Sequence, residues 1–245
     1  MALYDRIGTT YTSWRRSDPH IAAAIDLALG SAQTVLNVGA GTGSYEPANR
    51  QVIAVEPSAV MIAQRAAQAA PVVRAVAEAL PFADGAFDAA MAILTVHHWQ
   101  DLRRGLAELR RVARRVVVLT HDATLLEDFW LIRDYLPGAL PFIQRLLPPI
   151  EELKRFLPTA DVRPVPVPGD CEDGFLCAFW RRPHAYLDRA VRDGISCFPM
   201  LGEAAVADAM QRLERDLGNG AWSARNQALD GAAAMDFGYR LLVAE

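Results

Sequence analysis

T-V-L-N-V-G-A-G-T-G, residues 34–43, decides the fold. Val35, Leu36 and Val38 make a short apolar run, and Gly39, Gly41 and Gly43 follow at once. The pattern predicts a buried strand that runs into a turn without side chains, because glycine reaches backbone dihedrals that other residues resist. The same bareness lets a ligand rest directly on backbone amides. A second apolar run, 52–55, ends in Glu56, which places a carboxylate at the tip of the next strand, beside the glycine turn. A carboxylate there can accept two hydrogen bonds from the vicinal hydroxyls of a ribose.

With these residues in view, the stretch resembles motif I and the acidic loop of class I S-adenosylmethionine (SAM)-dependent methyltransferases. V-I-A-V-E-P-S (52–58) is similar to that family's second strand and ribose-binding acid. A-E-A-L-P-F-A-D-G-A-F-D (77–88) is similar to the signature before its fourth strand. A lone G-x-G-x-G carries little weight; three segments in order, at family-like spacing over residues 34–120, carry much more. Within the class, the chain resembles the domain-11 and ubiquinone-biosynthesis-like methyltransferases of small molecules. The resemblance implies an α/β fold: a doubly wound, mostly parallel seven-stranded sheet, Rossmann-like, with an antiparallel last strand at 238–244 and a helical cap insertion. It implies a single domain over 1–245, with a core of about 21–123 plus 236–245 and a substrate cap of about 124–235.

The cofactor implied is SAM, with S-adenosylhomocysteine (SAH) as product. By the resemblance, Gly39, Ala40, Gly41 and Gly43 cradle its methionine part, and Glu56, followed by Pro57, holds the ribose. Met61, Ala77 and Glu78 lie at the adenine, and Thr95 lines the floor near the sulfonium. From the N-terminal segment, Tyr11 and Arg15 or Arg16 reach the methionine carboxylate, an anion that suits an arginine fork. Three departures from the family pattern stand out. The connection 44–51 is short and holds Pro47, so the usual crossover helix shrinks to one turn. Val76 stands where many relatives carry an acid, leaving the adenine amino group to backbone or to Glu78. No Pro-Gly-Gly precedes strand five, so that turn is tight.

Outside the motifs, periodicity and caps predict helices at 21–29, after Ser58, at 101–113, 125–136 and 204–217, and strands at 72–73, 87–94 and 116–119. Residues 137–170 are rich in proline, including V-P-V-P at 165–168, and read as loop or edge strand.

Candidate chemistry gathers after strands four and five. His97 and His98 follow the first, and His121 follows the second. In a doubly wound sheet these carboxyl-end loops line the ligand crevice. Histidine titrates near neutral pH, so one of the three can take the proton from an alcohol, phenol or ammonium acceptor. His98 and His121 are the first choices, with Asp122 as orienting partner. The plainer alternative is that one of the pair caps a turn or packs beneath Trp99. His20 and His184 read as structural or exposed. Trp130, Phe142, Phe179, Trp180 and Trp222 would wall an acceptor pocket if 124–235 forms a cap; singly, each also reads as core packing.

The whole chain sets outer bounds. Its 245 residues suit one α/β domain. No stretch has the apolar length of a membrane span, and the N-terminus lacks a signal-peptide layout, so the expected compartment is the cytoplasm. A net charge of −4 argues against a nucleic-acid partner. Three cysteines, with C-x5-C between Cys171 and Cys177, do not make a zinc spacing, and no metal is expected. The partner expected is a small-molecule acceptor, with neither nucleic acid nor membrane, and a homodimer is one assembly the chain could form.

The leading expectation is therefore a SAM-dependent methyltransferase acting at an oxygen or nitrogen, with carbon left open, of a small molecule, as in secondary metabolism. A nicotinamide-dependent oxidoreductase needs G-x-G-x-x-G, whereas position 44 is serine. A SAM-binding protein without turnover, such as a regulator or assembly subunit, is the rival from another class.

Overall fold

Strand β1 (Thr34–Val38) is buried from Val35 onward because sheet lies on both sides of it and helices or loops cover both faces. The computed structural model describes residues 16–245. Beside β1 lie β2 (Gln51–Val55) and β3 (Val72–Val73) on one side, and β4 (Phe87–Ile93) and β5 (Ala113–His121) on the other. With β6 (Asp161–Pro164) and β9 (Tyr239–Ala244) they form one seven-stranded sheet in the order β3-β2-β1-β4-β5-β9-β6. Strands β1 to β5 pair in parallel, and β9 runs antiparallel between β5 and β6. Strand order reverses between β1 and β4, which opens a crevice at their carboxyl ends. The last strand thus sits where the resemblance puts it. A separate two-residue ribbon joins β7 (Val167–Pro168) to β8 (Ala234–Met235). The prolines behave as expected: Pro164 closes the edge strand β6, and Pro168 lies in the ribbon.

Local signals set the helices around the sheet. In α1 (Pro19–Leu29), the Asp18 carboxylate accepts from the first free amides, those of His20 and Ile21, and Gly30 ends the helix at φ +59. Ser58 caps α2 (Ala59–Ala63), and Asp101 caps α3 (Leu102–Val112). On one face of the sheet, Leu106, Leu109 and Val112 of α3 pack with Leu153 of α5 (Ile150–Phe156) against Leu36, Val116 and Val118. On the other face, Ile25 and Leu29 of α1 share a cluster with Val35, Met91 and Leu119. Residues 123–147 and 165–237 join that second cluster and carry α4 (Leu140–Leu146), α6 (Arg189–Asp193), α7 (Glu203–Gly218) and α8 (Ala221–Arg225). Among the described residues no helix is long and apolar enough to cross a membrane.

Three elements depart from the sequence reading. Residues 137–170, expected as loop or edge strand, also carry α4 and α5, and their prolines Pro141 and Pro149 sit at the helix starts, where a missing N–H breaks no helical bond. The connection 44–50 contains no helical turn at all. A buried ion pair holds it instead: Arg65 Nη2 donates to Glu46 Oε1 at 2.6 Å, and Ala70 N donates to Glu46 Oε2 at 2.9 Å. The segment 125–136 is not one α-helix either. It divides into a 3-10 stretch, Ala123–Asp128, and a π-turn, Leu131–Tyr135. The four residues 129–132 are all buried. A regular helix with one apolar stripe cannot bury four successive side chains. Tertiary contacts therefore override the local preference: the Trp130 indole N–H donates to Trp180 O at 3.0 Å, and its ring meets Tyr135, Tyr186 and Trp222 edge to face.

Candidate functional site

The glycine turn wraps the tip of β2. Gly39 N and Ala40 N both donate to Val55 O, at 2.8 and 3.0 Å. Gly39 and Gly41 sit at φ +70 and +52, where a side chain is strained. Space is also lacking: a Cβ on Gly39 would lie 2.1 Å from Thr95 Oγ1, and one on Gly41 would lie 3.3 Å from Met61 Cε. Glu56 ties the turn to the next helix. Its Oε2 accepts from Gly41 N and its Oε1 from Ser58 N, both at 2.8 Å. An ionised carboxylate only accepts hydrogen bonds, and these two amides fix its orientation.

A cavity of about 750 Å³ lies at this end of the sheet. Of the residues singled out in the sequence, Gly39, Ala40, Gly41, Glu56, Pro57, Met61, Ala77, Glu78, Thr95, His97 and His98 all line it. Gly43 does not; its φ of +101 turns it toward Glu46 and Arg65, so it serves the buried ion pair behind the turn. Arg16 is exposed and is not among the lining residues, and Tyr11 lies outside the described residues. Glu78 Oε1 accepts from Gln100 N and Asp101 N, fixing the loop after β4 across the cavity mouth.

That loop begins with strain. Leu94 follows β4 at φ +52, a conformation that costs a branched residue on the order of 1–3 kcal/mol and is held by its N–H to Leu119 O at 2.8 Å. Thr95 O then accepts from His98 N, closing a 3-10 turn over Val96–His98 that presents both histidine rings, 3.9 Å apart, at the cavity.

A second chamber of about 90 Å³ adjoins the first, and Leu94, His97 and Leu146 line both. Its own walls include His121, Ile143, Phe175, Leu176, Cys197 and Tyr239. The aromatic walls expected from the sequence are thus different ones. Trp130, Phe179, Trp180 and Trp222 are buried in the core, and neither they nor Phe142 line either space. Phe175 and Tyr239 take that place. The only advance signal for Tyr239 was its register: on an antiparallel last strand it pairs directly with His121.

His121 is oriented otherwise than the sequence suggested. Its Nε2 lies 2.7 Å from Phe237 O, and its ring packs 4.4 Å from that of Tyr239. Asp122 Oδ1 instead accepts from Thr124 N and Oγ1. Asp122 lies past the end of β5 and caps the 3-10 stretch that begins at Ala123, which commits its carboxylate there. Burial lowers the His121 pKa to about 4, against hydrogen bonding to Phe237 O and the nearby Asp122 charge, which raise it. Stability linked to a depressed histidine is complete above its unfolded value near 6.5 and is lost as pH falls toward 4, because only the unfolded chain takes the proton in that window. Wild-type unfolding free energy should therefore drop by about 3 kcal/mol between pH 6.5 and 4 from this group. Denaturant titrations should show that component missing in His121→Phe; an identical pH slope in the variant would contradict the assignment.

Tyr45 links the turn to the chamber. It sits at φ +62, its N–H donates to Ser17 Oγ at 2.7 Å, and its hydroxyl donates to the buried Asp173 Oδ2 at 2.8 Å. Asp173 lies two residues before Phe175, so the glycine turn and the chamber wall share one anchor.

A family model described as "Methyltransferase domain" matches residues 36–119. The demethylmenaquinone methyltransferase of Thermus thermophilus is 33% identical over 172 residues, covering 63% of this chain and 75% of that protein. A crystal structure named as a candidate methyltransferase from an antibiotic biosynthesis pathway of Anabaena variabilis superposes with a TM-score of 0.87 at 32% identity, covering 94% of this chain and 98% of the other. A candidate methyltransferase from Bacillus halodurans, 15% identical with a TM-score of 0.53, shares the fold over 91% of this chain and 96% of its own.

Proposed function

Because the chain belongs to the class I SAM-dependent methyltransferases, we propose that it methylates an oxygen, nitrogen or carbon atom of a small acceptor held in the chamber beside the cofactor cavity. The observation that carries this reading is the junction: the space bounded by the glycine turn and Glu56 meets an apolar chamber at Leu94, His97 and Leu146. The name of the Thermus relative adds a quinone-type acceptor, and the apolar walls favour such a ring.

The residues present fit SAM. Gly39 and Gly41 leave backbone bare where a Cβ would collide or crowd, suiting close approach of the methionine part. Glu56 is a buried, acceptor-only group of the kind a ribose diol needs. Pro57, Met61 and Ala77 supply apolar surface for adenine, with Glu78 at the edge. Arg16 and Tyr11 are the proposed partners of the methionine carboxylate. Of residues 124–235, the stretches on either side of α5 and β6 form the acceptor-side cap of a single domain; α5 and β6 themselves belong to the sheet and its far face.

Bound SAM supplies an electrophilic methyl group on a cationic sulfur. The chain's task is alignment and exclusion of water, which can supply up to about 7–11 kcal/mol in well-oriented cases. The acceptor gains the methyl and loses one proton. His97 is placed to take that proton, since it alone of the three histidines lines both spaces. His98 lines only the cofactor cavity, and His121, with a pKa near 4, is a weak base.

Turnover tests this directly. The full chain incubated with SAM and a panel of phenols, anilines and dihydroxynaphthalenes should release SAH together with a methylated product. SAH binding without any methylated product across ring hydroxyl, amine and carbon acceptors would contradict the catalytic reading and leave SAM binding alone.

A further inference from the structure

His121 lines the small chamber but is not one of the residues shared with the cofactor cavity. A carbonyl only accepts, so Nε2, 2.7 Å from Phe237 O, carries the ring proton. With its low pKa the imidazole is neutral at physiological pH, and Nδ1 is a bare lone pair. Among the described residues Nδ1 has no protein donor, and it keeps some open surface. The remaining ring nitrogen therefore serves the chamber.

The other walls set the rest of the chemistry. Ile143, Phe175, Leu176, Ile195 and Tyr239 surround the space, and no Lys, Arg, Asp or Glu lines it among the described residues. An anion or cation would be stripped of water with no counter-charge. A ligand without a donor would cover Nδ1 and leave it unpaired, a penalty that falls on the complex. A neutral group that donates one hydrogen bond meets neither objection. Size narrows it further. An engineered cavity of about 150 Å³ takes a benzene, so about 90 Å³ admits the hydroxyl-bearing edge of a ring and leaves the remainder at the junction.

We infer that the chamber is a recognition subsite for a neutral acceptor with a ring hydroxyl, which donates to His121 Nδ1 while the methyl-accepting atom sits across the ring, toward His97. His121 is then a specificity-determining residue, and the hydroxyl it holds is an anchor that stays unmethylated. This inference rests on the assignment of the larger cavity to SAM and adds the acceptor's chemical class to it.

Equilibrium dialysis of 4-ethylphenol, its methyl ether 4-ethylanisole and the 4-ethylbenzoate anion, against the full chain with and without saturating SAH, tests it. The phenol should bind about tenfold tighter than the ether or more, and the benzoate should bind weakest. His121→Phe should bring phenol and ether to equal affinity, while His121→Gln, whose amide oxygen accepts, should keep the preference. SAH titration of each variant reports whether it is folded. Equal binding of phenol and ether by the wild type, a benzoate that matches the phenol, or a preference that survives in a folded His121→Phe would each overturn the inference. Failure of the wild type to bind SAH would instead strike the cofactor assignment, and the phenol-to-ether ratio of the ligand-free chain would still judge the chamber.

Discussion

Glu56→Ala should weaken SAH binding at least a hundredfold and lower the melting temperature of the same variant. Two effects combine. First, under the proposed reading the ligand loses its ribose acceptor; hydrogen bonds to a charged group contribute about 1.5–3 kcal/mol each, and a diol makes two. Second, the protein loses the link that joins its glycine turn to α2, because Gly41 N and Ser58 N both donate to this carboxylate. A buried amide left unsatisfied costs about 1–3 kcal/mol. Calorimetric titration measures the first effect and thermal unfolding the second. Glu56→Gln keeps the shape but replaces one acceptor oxygen by a donor, so it should fall between wild type and alanine on both readouts. A Glu56→Ala variant with unaltered melting temperature would show that the turn does not depend on this carboxylate.

Gly39→Ala should be more damaging to the fold than its single added methyl suggests. At φ +70 the new Cβ costs about 1–2 kcal/mol in backbone strain alone. It would also lie 2.1 Å from Thr95 Oγ1 and 2.9 Å from Thr95 Cβ, so Thr95 must move. Thr95 O anchors the turn that presents His97 and His98, and the disturbance therefore reaches both sides of the junction. A loss on the order of 3 kcal/mol or more is expected, a large share of a typical domain's stability of about 5–15 kcal/mol. Gly39→Ala combined with Thr95→Gly, which removes the colliding side chain, should recover part of it. Gly138→Ala, at a position with open space and no positive φ, is the matched control and should leave stability nearly unchanged. Equal denaturation midpoints for Gly39→Ala and Gly138→Ala would contradict the packing described.

What could be read from the sequence were features written in adjacent residues. The run 35–38 followed by three glycines, the apolar strand closed by Glu56 and the Ser58 cap all depend on neighbours in the chain, and the sheet forms around them. Most of the lining of the larger cavity was legible for the same reason. What could not be read depends on partners far away in sequence. Asp122 was expected to orient His121 because it is next in the chain, yet the orienting atom is Phe237 O, 116 positions on. Tyr45 meets Asp173 across 128 positions, and no local pattern announces that contact. The crossover 44–50 held a proline and too few residues for a helix, and its stabilising device, the Glu46–Arg65 pair, becomes visible only when α2 folds back over it. Aromatic residues were conspicuous in 124–235, but which of them face a cavity is decided by packing: the tryptophans fill the core, and the chamber is walled by Phe175 and by Tyr239 from the last strand.

The claim beneath all of this is that the bare turn after β1 and the carboxylate after β2 bind an adenosyl sulfonium or its product. Titrating SAH into the full wild-type chain by calorimetry tests it most directly. One site per chain, of roughly micromolar affinity and sharply weakened in Glu56→Ala, is the predicted result. No binding at millimolar SAH, or equal affinity in wild type and a folded Glu56→Ala, would contradict it.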